Sequence, residues 1–132
     1  MMRGFVAAAA AVMLLLSCES KKEDNQAEIA GNAARQYYSY LMAGDCGAFV
    51  DGTCRKDSIR KEYRDQLIDN ARMFVAQQQD EHNGIKAVEV KRVDIDTMRT
   101  RAEVFLVLTY GDKTNEQVLV PMVKSEGLWY MK

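Results

Sequence analysis

The chain has 132 residues, 28% of them charged, with 18 lysines and arginines against 19 aspartates and glutamates. That balance lacks the basic excess of a nucleic-acid-binding protein, so no nucleic-acid partner is expected. One histidine and three cysteines leave little from which to build a zinc site or a histidine-dependent nucleophile.

The first feature along the chain is a leader. Arg3 is the only charge before Cys18, and Phe5 to Leu16 is an apolar run of twelve residues. A run that short behind a basic start matches a signal-peptide core and is too short for a spanning helix. It passes through Leu15-Leu16-Ser17 straight into Cys18. This pattern resembles the bacterial lipoprotein signal. The resemblance implies removal of residues 1–17, a diacylglycerol on the Cys18 thiolate, and attachment to the outer membrane of a bacterial cell envelope, on its periplasmic side or at the cell surface. Each buried acyl methylene contributes about 0.8 kcal/mol, so no membrane-spanning helix is needed.

The chain from Cys18 onward has 115 residues, and losing Arg3 leaves 17 basic against 19 acidic groups. That length suits one domain. Residues 18–25 read as the lipidated cysteine and a polar tether, because Glu19 to Asn25 contains no apolar residue that could join a core. Lys22-Glu23-Asp24 resembles the surface-export signals of some Gram-negative lipoproteins; the alternative is a plain solvated spacer. The folded domain is expected over 26–132.

Asn25 and Glu28 have the capping-box spacing, predicting a helix from about Gln26 to Met42 with Ile29, Ala33, Tyr37 and Tyr40-Leu41 as its apolar stripe. Gly44 ends it. Ala48, Phe49 and Val50 predict a short helical turn flanked by Cys46 and Cys54. A disulfide between these two would contribute about 2.5 kcal/mol by loop closure in an oxidising compartment. Two reduced thiols are the alternative; a zinc half-site is disfavoured, since His82 is the sole histidine. Asp57-Ser58 should open a longer helix reaching about Glu81, with Ile59, Tyr63, Leu67, Ala71, Phe74 and Gln78 on one stripe, widened by Ile68 and Val75. Asn83-Gly84 stops it. His82 at that end reads as solvated and favoured by the helix dipole, with no visible catalytic partner.

From Ile85 the apolar period changes to 2, predicting strands over Ile85 to Ile95, Arg101 to Tyr110, Glu116 to Lys124 and Leu128 to Met131. Their short connections imply an antiparallel meander. Ile85 and Ala87 share parity with Val93 and Ile95, whereas Val88 and Val90 do not, which predicts a bulge near Lys91-Arg92. Pro121 predicts a further bulge or an edge position. Arg101 to Tyr110 carries Ala102, Val104, Leu106, Leu108 and Tyr110 on one face, and Phe105 and Val107 on the other. A strand apolar on both faces needs cover on both. Helices supply one cover; a ligand, a second copy of the chain or a curl of the sheet must supply the other. Glu103, Phe105, Val107 and Trp129 are therefore the candidate ligand or dimer face. Trp129 is also expected to close the core.

Helix, short helical connector, long helix and a bent four-stranded meander form an ordered set. Ala34 to Asp45, the Tyr63 to Val75 helix, and Val118 to Tyr130 with its closing Gly127-x-Trp129 resemble the cystatin-like α+β roll of the nuclear transport factor 2-like superfamily. More closely, they resemble its lumazine-binding-like bacterial lipoproteins of unknown function. The resemblance implies two main helices packed on a bent four-stranded antiparallel sheet, with a cavity between them. Such cavities host enzymes, binders and interaction modules alike, so fold leaves function open.

The expected function is a non-enzymatic module that binds a small ligand or a protein, or forms a homodimer. The alternative is an isomerase or cyclase with a carboxylate base and a hydroxyl donor in a dry pocket. Asp94, Asp96 and Glu103 are the candidate acids, and Tyr38 or Tyr110 the donor. No glycine-rich phosphate loop or clustered metal-ligand spacing occurs, so no cofactor, metal or catalytic motif is expected.

Overall fold

The computed structural model describes residues 25–53 and 59–132. The leader, Cys18, the tether, Cys54 and the expected helix opening at Asp57-Ser58 lie outside the described residues. Among the described residues, three helices, α1 (Asn25–Met42), α2 (Cys46–Asp51) and α3 (Lys61–His82), precede four strands, β1 (Ile85–Ile95), β2 (Arg101–Tyr110), β3 (Asn115–Ser125) and β4 (Leu128–Met131). The strands form one antiparallel sheet in the order β1-β2-β3-β4. This is an α+β roll, with the helices on one face of a bent meander.

α1 buries Ala30, Gly31, Ala34 and Leu41. The expected stripe is therefore rotated: Ile29 is 40% exposed. Small residues win because they let the helix axis approach β1. A β-carbon on Gly31 would stand 2.9 Å from Val93 Cγ2. Gly44, at φ +82°, lets the chain turn back so that Asp45 N–H donates to Tyr40 C=O at 2.8 Å. The Asp45 carboxylate then caps α2 by accepting from Ala48 N–H.

α3 presents larger side chains, with Ile68 and Ala71 buried and Leu67, Phe74 and Val75 packed partly against the core. It meets the sheet sparsely and chiefly at β1. It stops where expected. Asn83 takes the left-handed conformation at φ 62°, and Gly84 N–H returns to Gln78 C=O at 3.0 Å. One helix lying close and one standing off leaves a wedge between α3 and the sheet.

β1 pairs with β2 through two register shifts, one between Ile85 and Ala87 and one between Val90 and Arg92. The second is the expected bulge; the first is additional. Each shift resets the alternation, so Ile85, Val88 and Val90, and then Val93 and Ile95, can all turn toward the helices. Val104, Leu106, Leu108, Val120, Met122, Trp129 and Met131 complete this buried face. Pro121 causes no bulge, for β2 and β3 pair without a shift from Arg101↔Val123 to Thr109↔Asn115. Its C=O accepts from Lys132 N–H on the β4 side. A strand residue directs its N–H and C=O to the same side, so the missing donor falls where β4 ends, and β2 loses no bond. The β3–β4 turn is Glu126-Gly127, both at positive φ, the backbone of a two-residue hairpin. Among the described residues, no helix is long and apolar enough to cross a membrane.

Candidate functional site

The wedge beside α3 is a cavity of about 600 Å³. α3 contributes Tyr63, Leu67, Asn70, Ala71 and Phe74; α1 contributes Tyr38 and Leu41; α2 contributes Phe49 and Val50; and the sheet supplies Leu108, Glu116 and Val118. Helical spacing puts Leu67, Ala71 and Phe74 on one side of α3. Strand alternation does the same for Glu116, Val118 and Val120 on β3. The walls are mostly apolar and aromatic, and the Tyr38 and Phe49 rings meet edge-on with centroids 5.4 Å apart. The volume falls within the range of small-molecule pockets.

Glu116 and Tyr38 line this cavity, and Glu116 meets Tyr110 at its edge. Tyr110, only 3% exposed, donates its hydroxyl to Glu116 Oε2 at 3.3 Å. Burial, reinforced by the Glu116 charge and this hydrogen bond, pushes the Tyr110 phenol up to about 12. The Tyr38 phenol is raised as well, first by burial and then by Glu116.

Behind this edge, His82 stacks on Tyr110 with ring centroids 4.9 Å apart, and its Nδ1 lies 2.8 Å from Asp112 Oδ2. The histidine is therefore more than a solvated helix end: it joins the end of α3 to the β2–β3 turn. Hydrogen bonds from the Thr114 hydroxyl and from His82, with a further bond from Thr114 N–H, hold the Asp112 carboxyl down at about 2.

The candidate acids lie elsewhere. Asp94, Asp96 and Glu103 border a separate, more polar hollow of about 460 Å³ at the other end of the sheet. Asp94 pairs with Arg92 at 3.4 Å. Asp96 accepts from Thr100 N–H at 2.9 Å and Arg101 N–H at 3.2 Å. Backbone donors, Arg101 first, hold its carboxyl below the usual range, so it organises a turn. None of the three meets Tyr38 or Tyr110. The carboxylate beside those phenols is Glu116, which the sequence reading passed over. Its signal was parity: it shares a strand face with Val118, Val120 and Met122.

Glu103, Phe105 and Val107 lie on the outer sheet face, as expected. The Arg92 guanidinium sits 4.1 Å above the centroid of the Phe105 ring, and Leu119, paired with Phe105, is 48% exposed. Trp129 is separated from that group. It is 3% exposed on the inner face, and its C=O accepts from Tyr37 Oη at 2.6 Å. Cys46 is buried; its expected partner Cys54 is outside the described residues. Among the described residues, no three His, Cys, Asp or Glu side chains gather as a metal site.

No protein-family model matches the chain, and no curated protein does. Solved structures do match. A Campylobacter jejuni protein named as an NTF2-like transpeptidase is similar at 14% identity and a TM-score of 0.62, over 76% of this chain and 94% of that one. A SEC-C motif containing protein from Rhodopseudomonas palustris is similar at 18% identity and a TM-score of 0.50, over 76% of this chain and 72% of that one. At such identities the likeness speaks for fold alone, and the fold has enzymatic and non-enzymatic members. The chain has the NTF2-like, cystatin-like α+β fold.

Proposed function

We propose that this protein is a bacterial envelope lipoprotein, held at the outer membrane by acyl chains on Cys18, whose domain binds a small, largely apolar molecule without transforming it. The observation that carries the binding reading is the cavity of about 600 Å³ walled by Tyr38, Phe49, Leu67, Phe74, Leu108 and Val118. Its size lies inside the usual range for small-molecule sites. The envelope address rests on the charged and apolar leader ending in Cys18. The finer resemblance to lumazine-binding-like lipoproteins belongs to the same proposal.

The pocket-carboxylate alternative has one supporting feature, the Tyr110–Glu116 pair. Glu116 itself is solvent-exposed, so the dry acid that isomerase chemistry needs is missing at this position. Binding is the better reading. Self-association is assigned to the outer face through Phe105, Val107 and Leu119, where it would compete with nothing in the cavity.

The test is titration with the neutral apolar fluorophore N-phenyl-1-naphthylamine. Fluorescence should rise saturably with the unaltered protein. Ala71→Trp, which fills the wedge from the α3 side, should weaken that binding at least tenfold while retaining the fold by circular dichroism. Equal binding by both proteins would place the fluorophore elsewhere and defeat the proposal.

A further inference from the structure

The first turn of α1, both turns at one end of the sheet and the most exposed large apolar side chain converge. Lys124 Nζ of β3 donates to Gln26 Oε1 at 2.9 Å, and Lys124 N–H donates to Thr100 C=O at 2.8 Å. Gly31 of α1 lies against Val93, whereas Leu41 and Met42 lie near Ile85. The helix therefore runs away from this end. The start of α1, the β1–β2 turn and the β3–β4 turn share one pole of the domain.

That pole displays Met98, 78% exposed at the β1–β2 turn, and Leu128, 60% exposed beside the β3–β4 turn. Met98 is the most exposed large apolar side chain among the described residues. The turn holds it out: Asp96 accepts from Thr100 and Arg101 N–H groups, and Arg99 N–H donates to Asp96 C=O at 3.1 Å. Holding apolar surface in water is unfavourable, and nothing in the packing of the core requires it here.

From this geometry we infer that the pole carrying Met98 and Leu128 rests on the phospholipid surface, with both side chains in the headgroup and upper acyl region. The inference relies on the lipidation of Cys18 proposed above. Asn25 is seven steps along the chain from Cys18, and a fully extended chain covers at most about 3.6 Å per residue, or roughly 25 Å. The first residue of α1 therefore stays within about 25 Å of the acylated cysteine, on the side where Met98 and Leu128 project. Charges at the pole are mixed: Arg101 and Lys132 border one hollow with Asp94, Asp96 and Glu103, and Arg99, Lys124 and Glu126 lie in or beside the two turns. Attraction is accordingly assigned to the acyl tether and the two apolar side chains, with no demand for an anionic membrane.

The experiment uses the full chain in bacterial membranes, with p-benzoylphenylalanine introduced in place of Met98, Leu128 or, as a control at the opposite pole, Lys113. After illumination, intact mass reads both the acyl group on Cys18 and any phospholipid adduct. The inference expects acylated protein with phospholipid adducts from positions 98 and 128 at least tenfold above position 113. Acylated protein whose adducts do not differ among the positions, or that crosslinks to protein at position 98, would overturn the docking pole and leave lipidation standing. Protein without acyl chains would overturn both.

Discussion

Gly31 of α1 and Val93 of β1 are in such close apposition that a β-carbon on residue 31 would lie 2.9 Å from Val93 Cγ2. This contact draws α1 down onto β1, while the larger side chains of α3 hold that helix away, and the difference between the two spacings is the cavity. Gly31→Val should therefore overpack the α1–β1 contact. Overpacking costs about 1–3 kcal/mol, more than the few tenths that leaving glycine gains in helix propensity. Urea unfolding should show a lower midpoint with an unchanged slope.

Glu116 and Tyr110 supply a titration that reports the edge of the cavity formed by Glu116. Tyr110 titrates near 12, with burial the largest cause and the Glu116 charge and hydrogen bond adding to it. Glu116→Gln removes a negative charge that disfavours phenolate. The Tyr110 value should fall but stay above the ordinary tyrosine range, because burial remains. Absorbance of tyrosinate against pH checks this.

Asp112 makes stability depend on acid. Its carboxyl is held at about 2 in the folded protein, below the ordinary aspartate value, so the folded state binds fewer protons than the unfolded chain. Its contribution is fully present above the unfolded value near 4 and is lost as pH falls through about 2. Asp96 acts in the same direction. Asp112→Asn should flatten part of the fall in thermal midpoint between about pH 4 and pH 2, and Asp96→Asn a separate part.

Cys46 and Cys54 give a simple mass test. In protein purified without reductant, the disulfide reading expects the intact mass to rise by two hydrogens on reduction. An unchanged mass would mean free thiols.

The strands were legible because alternation of apolar and polar residues is local. The limits of β1, β2 and β4 match the pattern, and β3 extends it by one residue at each end. The bulge at Lys91 was readable from a parity change. The face of α1 was not, because Ala30, Gly31 and Ala34 carry little hydrophobic signal and owe their burial to close approach. His82 and Asp112 are thirty residues apart, and nothing local marks either as the other's partner. For Trp129 the pattern offers both the outer group and the core; its place in β4, two residues from Met131, turns it inward, so the core expectation holds and the outer-face one does not. Glu116 was open to inference from its alternation with Val118 and Val120, but a carboxylate at a strand end reads first as solvated.

Native mass spectrometry of the full chain, released from membranes in mild detergent, tests the central claim most directly. The account predicts a Cys18-acylated protein carrying a reproducible non-covalent adduct of a small apolar molecule, with that adduct missing from Ala71→Trp. An acylated protein that never carries an adduct, or an adduct that persists when the wedge is filled, would contradict it.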